Sequence, residues 1–377
     1  MLATHLLSKK FPDSNVVFSP LSIHVALSLL ANGSKGPTLD QLLAFLKTNT
    51  TDELNSLYSE LVSLILADGS PSGGPLLSFA NGVWVEKTLA LKPSFKQVVD
   101  TVYKAACNQV DFRNKAVKVV KKVNLWADKQ TNGLIKRVLR TNAINNDTRL
   151  IFANAIYFKG VWSHKFKKSW TRESDFHLPD GRKVRVPFMT DNERQFVKAY
   201  DDFKVLGLRY LKGEDKRAFT MYFFLPDARD GLQSLVEKIG STPDFFDRHI
   251  PHQKVQVGKL LIPKFKISSW FKASDVLKEL GLVLPFEDVE DFTKLVDLPF
   301  GERLHVSSIH HKSFVEVDEE GTKAAAVSAA LICLGCPRRT ITEKVDFVAD
   351  HPFLFVIREE ETRVVLFIGQ VTNPRAS

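Results

Sequence analysis

Cysteine is scarce, with only Cys107, Cys333 and Cys336 in a chain of 377 residues. That is too few to staple a fold with disulfides, and it suits a reducing compartment. Long apolar runs are missing as well. The densest, Leu61–Ala67, falls far short of the ~20 residues a membrane span requires, so no membrane partner is expected. The amino terminus shows no charged start, apolar middle and small-residue cleavage site, and no secretory signal is visible. Expected locations are therefore the cytoplasm, or the apoplast by a route without a visible signal. The signatures of catalysis are also lacking. There is no Gly-x-Ser-x-Gly elbow, no His-Glu-x-x-His pair, no phosphate loop and no dinucleotide fingerprint. His310 and His311, if they lie on a strand, face opposite ways and make a poor metal pair. Asp350-His351 reads as a strand-end pair before Pro352 rather than half a triad. Cys333-Leu-Gly-Cys336 has no second cysteine pair for zinc and no strand–helix setting for redox catalysis. No enzyme activity, metal or cofactor is expected.

What is present is an ordinary globular composition, 44% hydrophobic and 25% charged, on a chain long enough to bury a large core. The loop Gly69-Ser-Pro-Ser-Gly-Gly-Pro75 is the best candidate break. No linker, repeat or low-complexity tract divides the chain, so one domain over 1–377 is expected. The net charge of +9 is dispersed, with modest clusters at Lys115–Lys122, Lys165–Lys168 and Arg182–Arg185. Such density reads as a solvated surface, and neither nucleic-acid nor polyanion binding is expected. Sequons at Asn32, Asn49 and Asn146 matter only in an exported protein.

The first third reads as mainly helical. Ser19-Pro20 is a cap with a first-turn proline, Ile23, Ala26, Leu27 and Leu30 repeat at helical spacing, and Gly33 can stop the helix. Pro37–Leu46 is a short helix. Asp52 is expected to cap another, carrying Leu54, Leu57, Tyr58, Leu61 and Ile65 on one face. Pro93–Tyr103 and Ala116–Thr131 follow. From Arg149 onward, Leu150–Phe158, Lys183–Met189, Phe219–Leu225, Lys254–Ile262, His305–Val317, Pro352–Arg358 and Val364–Val371 are rich in β-branched and aromatic residues. Short helices at Leu232–Ile239 and Ser274–Leu280 interrupt them. Dense runs without alternation point to sheets covered on both faces, and helices followed by strands read as α+β.

Residues 314–336 form an alternating strand, an acidic turn, a glycine and a train of small residues. Composition alone also allows an alanine-rich helix or connector there. Glu319-Glu320-Gly321-Thr322 followed by Ala324-Ala325-Ala326 resembles the hinge of inhibitory serpins. The resemblance extends along nearly the whole chain: Asn15-Val-Val-Phe-Ser-Pro-Leu-Ser-Ile23, Leu76-Leu-Ser-Phe-Ala-Asn-Gly-Val-Trp84, Asn154-Ala-Ile-Tyr-Phe-Lys-Gly-Val-Trp162, His311–Gly321, Phe347-Val-Ala-Asp-His-Pro-Phe353 and Leu366-Phe-Ile-Gly369. It is closest to the plant branch of the family.

The resemblance implies three β-sheets, eight or nine helices and an exposed reactive-centre loop over 319–345. It also implies that Met1–Lys9 supplies only the end of the first helix. The implied function is suicide inhibition: a protease cuts the loop, and the cut loop enters the central sheet and traps the acyl-enzyme. The expected partner is a target endopeptidase held covalently, with the inhibitor itself a monomer. Ser19, Ser22, Asn154 and His311 match the "shutter" beneath the sheet's opening point, and Trp162 matches the "breach" at its top. Entry between packed strands demands small side chains, which Ala324, Ala325, Ala326, Ser328, Ala329 and Ala330 supply. Thr322 would enter first, and Gly321 would let the backbone swivel. Lys323 and Val327 depart from the family's usual residues. Counted from Glu319, the family's register puts the scissile bond at Gly335–Cys336, flanked by Leu334 and Cys333. Leucine before a small residue suits papain-like cysteine proteases. Arg338 and Arg339 are the rival site, suiting a trypsin-like serine protease. Cys333 and Cys336 are either two loop thiols or a disulfide that pinches the bait. The alternative function is a non-inhibitory binding or storage protein of the same fold.

Overall fold

The computed structural model describes residues 1–215, 217–299, 301–322 and 344–376, apart from the side chains of Val62 and Ser63. The helix Pro20–Asn32 starts where the Ser19 hydroxyl accepts the Ser22 N–H, with Pro20 in the first turn and Gly33 closing the end. Nearly all its side chains are buried, as befits a helix running through the interior. The next long helix, Thr51–Leu64, is capped by Thr50, whose hydroxyl accepts the Glu53 N–H. The cap expected at Asp52 is therefore corrected: Asp52 lies inside the first turn, where its charge favours the helix dipole.

Six strands form the central sheet: β1 (Leu76–Glu86), β2 (Ala106–Val110), β3 (Leu150–Val161), β4 (Phe265–Lys272), β5 (Ser308–Val317) and the two-residue β6 (Gly321–Thr322). Their order is β4-β5-β3-β1-β2, with β6 paired to β3. A seven-stranded sheet, a four-stranded sheet and a short ribbon pairing Ala90–Leu91 with Val296–Asp297 complete the β structure among the described residues. The reading of helices first and strands later misses β1. This strand carries Ser78, Ala80, Asn81 and Gly82, which are poor strand formers. It is nevertheless a strand because it is buried between neighbours on both sides. The sequence expectations also omit β4, although its burial alternates cleanly.

The two faces of the central sheet belong to different cores. Leu150, Phe152, Ile156 and Phe158 of β3 join the main cluster, which includes the Pro20–Asn32 helix. Ile151, Ala153, Ala155 and Tyr157 join a second cluster with Phe112, Val119, Val123 and Ala127 of the helix Phe112–Gln130. Lys115, Lys118, Lys121 and Lys122 stand on the exposed side of that helix. Residues on either side of the Gly69–Pro75 loop pack in one cluster, Tyr58 and Ile65 with Leu77 and Val83.

Candidate functional site

The decisive feature is a fork between β3 and β5. The two run parallel and are paired from Ser308 with Ile151 to Phe314 with Tyr157. Beyond Phe314 that pairing stops, while β3 continues to Val161 and β5 to Val317. The chain then reverses through Asp318, whose carboxylate accepts the N–H groups of Glu320 (2.9 Å) and Gly321 (3.2 Å). It returns into the fork as β6, antiparallel to β3, with Gly321 opposite Val161 and Thr322 opposite Gly160. Gly321 and Thr322 are thus already in the sheet. Gly321 sits at φ +147°, and a Cβ there would run into the Gly160 carbonyl oxygen and the Val161 Cα. Its lack of a side chain serves this close approach as well as any swivel.

Trp162 and Tyr210 hold the mouth of the fork. The Trp162 indole donates to the Asp318 carbonyl (2.9 Å), and its backbone N–H donates to Glu320 O (2.9 Å). The Tyr210 ring stacks on Trp162 with centroids 4.6 Å apart. The Tyr210 hydroxyl, whose pKa is raised by burial, meets the Thr322 hydroxyl at 2.8 Å. Gly160 makes room for that ring, since a Cβ on Gly160 would collide with it.

Both hinge glutamates are tied down. Glu319 is buried and accepts from Lys264 Nζ and Thr171 Oγ1, each at 2.7 Å. Burial pushes its carboxyl up, but donation from Lys264 and Thr171 outweighs this and holds it below the usual carboxylate value. Glu320 pairs with Lys165 at 2.8 Å and Lys168 at 3.3 Å, and these ammonium groups hold it ionised further into acid. The expected basic cluster Lys165–Lys168 is thus partly a clamp on the hinge.

Lower down, a buried polar latch crosses the β3–β5 seam. His311 on β5 lies opposite Asn154 on β3. The Ser19 N–H donates to His311 Nε2 (3.2 Å), so the proton of the neutral ring is on Nδ1, which donates to Asn154 Oδ1 at 2.9 Å. Asn154 Nδ2 in turn donates to Asn81 Oδ1 on β1 (2.6 Å). Burial pushes the His311 pKa down to about 3, with the Lys312 charge adding to the effect. Ser22 is fully buried, and its N–H completes the Ser19 cap. His310 points to the opposite face, stacked on Trp270 with centroids 5.8 Å apart, so the two histidines share no ligand.

The structure therefore brings together Glu319, Glu320, Gly321, Thr322 and Trp162 at the mouth, and Ser19, Ser22, Asn154 and His311 at the seam. Ala324, Ala325, Ala326, Cys333, Leu334, Gly335, Cys336, Arg338 and Arg339 lie outside the described residues. The sequence reading missed Tyr210, Lys264, Thr171 and Asn81. Asn81 sits inside a quoted motif, but Tyr210 is far from Thr322 in the chain and carries no local signal. Asp350-His351 behaves as a strand-end pair, with Nδ1 on Asp350 and Nε2 on the Pro226 carbonyl, each at 2.8 Å. Among the described residues no group of His, Cys, Asp and Glu could hold a metal ion, and no helix is long and apolar enough to cross a membrane.

Known proteins resemble this chain over nearly its whole length. The family model described as Serpin (serine protease inhibitor) matches residues 1–374. Serpin-ZX of Arabidopsis thaliana is 56% identical over 99% of this chain and 95% of its own length. Serpin-ZXA of Oryza sativa subsp. japonica is 52% identical over 96% and 90%. Among solved structures, Arabidopsis AtSerpin1 in its native stressed conformation covers 99% of this chain and 95% of that one, at 55% identity and a TM-score of 0.91. With its forked sheet, its hinge seated in the fork and a family match over nearly its whole length, this chain belongs to the serpins, whose members are generally protease inhibitors.

Proposed function

We propose that this chain is an irreversible suicide-substrate inhibitor of endopeptidases. The observation that carries the reading is β6, whose two described residues, Gly321 and Thr322, already pair with β3 at the mouth of the fork. Continuing its register down β3 would pair Ala324 with Phe158, Ala326 with Ile156, Ser328 with Asn154 and Ile332 with Leu150, where β3 ends. Ala324, Ala326, Ser328 and Ala330 would then face the main core, where small side chains enter most readily, with the larger Ile332 on the same face only at the end of β3. Lys323 would stand opposite Lys159 near the rim, a like-charge pair of modest cost. Ser328 would arrive between Asn154 and His311, so the latch must open for the strand to pass.

The chemistry belongs to the protease. Its serine or cysteine nucleophile attacks the Gly335 carbonyl, the Gly335–Cys336 bond breaks, and the Cys336 amine leaves with a proton. The Gly335 acyl group stays on the enzyme. Insertion of 323–332 then drags the enzyme along the sheet before water can release it. Ile332 falls at the last β3 position, so Cys333, Leu334 and Gly335 would form the short tether. Cleavage after Arg338 would lengthen that tether by three residues and slow capture, which favours the glycine bond. Leu334 before Gly335 favours a papain-like cysteine protease, with a serine endopeptidase as the second class.

A panel of papain-like and trypsin-like proteases should yield a denaturant-resistant complex with a papain-like enzyme. Mass measurement under denaturing conditions should find a released fragment beginning at Cys336. A fragment beginning at Arg339 or Thr340 would overturn the register, and no complex with any papain-like enzyme would overturn the target class.

A further inference from the structure

Beside the fork lies a cavity of about 640 Å³ that the hinge machinery only partly accounts for. Its volume falls within the range of small-molecule sites. The buried rings of Trp162 and Tyr210 line it, together with Leu208 and Phe219. Three exposed cations, Arg209, Lys212 and Lys254, stand around it. The Arg209 guanidinium lies 4.0 Å from the centre of the Phe196 ring and the Lys254 ammonium 5.5 Å from the same ring, so both charges flank one aromatic wall. Among the described residues no carboxylate forms an ion pair with any of the three. One acidic group, Glu360, reaches the cavity, and its Oε1 accepts from the Tyr222 hydroxyl at 2.8 Å.

We propose that this cavity binds a small aromatic anion, an aryl carboxylate or sulfonate, whose ring packs against the aromatic wall while its acid group meets Arg209 and Lys254. An apolar ring leaves water on entering and packs against these side chains. The anion supplies the charge that the two cations lack, through charge-assisted hydrogen bonds. Neither half of the site asks for a neutral aliphatic ligand or a cation.

Trp162 and Tyr210 also hold the hinge, through Asp318 O and Thr322. Resting on the inhibitor reading, an occupant is therefore coupled to loop entry. By linkage, loop entry must change the occupant's affinity by the same factor.

The test uses the full-length chain and two fluorescent probes of similar shape, anilinonaphthalene sulfonate and the uncharged phenylnaphthylamine. The sulfonate should saturate at one probe per chain with a Kd of roughly 10–100 µM. The double variant Arg209→Gln/Lys254→Gln, which alters only exposed side chains, should weaken the sulfonate about tenfold and the uncharged probe less than twofold. Ala218→Trp, at the cavity wall, should abolish both; if it fails to fold, the charge variant decides alone. Multi-site or non-saturating binding, or equal affinities in the parent and the charge variant, would overturn the site. Coupling is read separately, as at least a threefold change in sulfonate Kd after the loop is cut. Binding that ignores the cut would refute the coupling and leave the site standing. A chain that binds the sulfonate but traps no protease would refute the inhibitor reading alone.

Discussion

Replacing Thr322 with arginine is expected to turn the chain from a trap into an ordinary substrate. Thr322 is 1% exposed, and its hydroxyl is spent on Tyr210 inside the fork. An arginine there must either bury its charge among Trp162, Tyr210 and Phe158, at a cost of several kcal/mol, or keep Gly321 and its own residue out of the sheet. The second outcome gives up the Thr322–Tyr210 hydrogen bond and two residues of pairing with β3 but leaves the rest of the described sheet in place. It also blocks the first step of strand entry. Each 1.4 kcal/mol added to that step slows it about tenfold relative to hydrolysis of the acyl-enzyme. Covalent complex with the target protease should therefore fall at least tenfold, while cleavage of the loop continues at the parent rate. Thr322→Ser, which keeps the small hydroxyl, should retain most of the complex. Equal complex yields from the arginine variant and the parent would show that β6 is not where the inserted strand begins.

The second large effect concerns acid. His311 is held neutral in the native chain at a pKa of about 3, and His310 at about 4, both pushed down chiefly by burial. The unfolded chain would protonate each near 6.5. A depressed native pKa means the unfolded state binds more protons below about pH 6.5, so stability falls as pH falls from there toward 3. Each pH unit inside that window removes up to about 1.4 kcal/mol per histidine. By pH 4.5 His311 alone should account for a loss of roughly 2–3 kcal/mol. The structural cause is specific: a second proton on Nε2 would face the Ser19 N–H, two donors with no acceptor between them. His311→Asn removes the titration. Its denaturation midpoint at pH 7 should be lower than the parent's, but its decline between pH 6.5 and 4.5 should be shallower by about one proton. Parallel pH slopes for variant and parent would show that the latch does not titrate as described.

Those two sites also show what the sequence made legible. The seam was readable because its members sit in motifs with strong local form: Ser19-Pro20 as a helix start, Asn154 and His311 within long strand runs. The hinge was readable because a train of small residues after an acidic turn is compositionally odd. Tyr210, Lys264 and Thr171 were not readable. Each meets the hinge only through the tertiary fold, and an isolated tyrosine, lysine or threonine carries no periodic or spacing signal. The strand β1 was obscured for a related reason. Asn81 accepts from Asn154 of the latch, Gly82 leaves room for the Trp84 ring, and Ala80 is small within the second core cluster, so tertiary packing rather than strand propensity chose these residues. The cap at Thr50 in place of Asp52 is a two-residue shift between two good cap formers, which propensity alone does not separate.

On the proposed mechanism, the chain after Thr322 enters the fork as a strand once the loop is cut. The direct measurement is the thermal unfolding midpoint of the intact chain against the same chain nicked near Leu334 with a non-target protease. Ten residues paired along β3 at about 1 kcal/mol each should raise the midpoint by roughly 10 °C or more. A nicked chain that melts at or below the midpoint of the intact one would contradict the account, because the fork would then have nothing to receive.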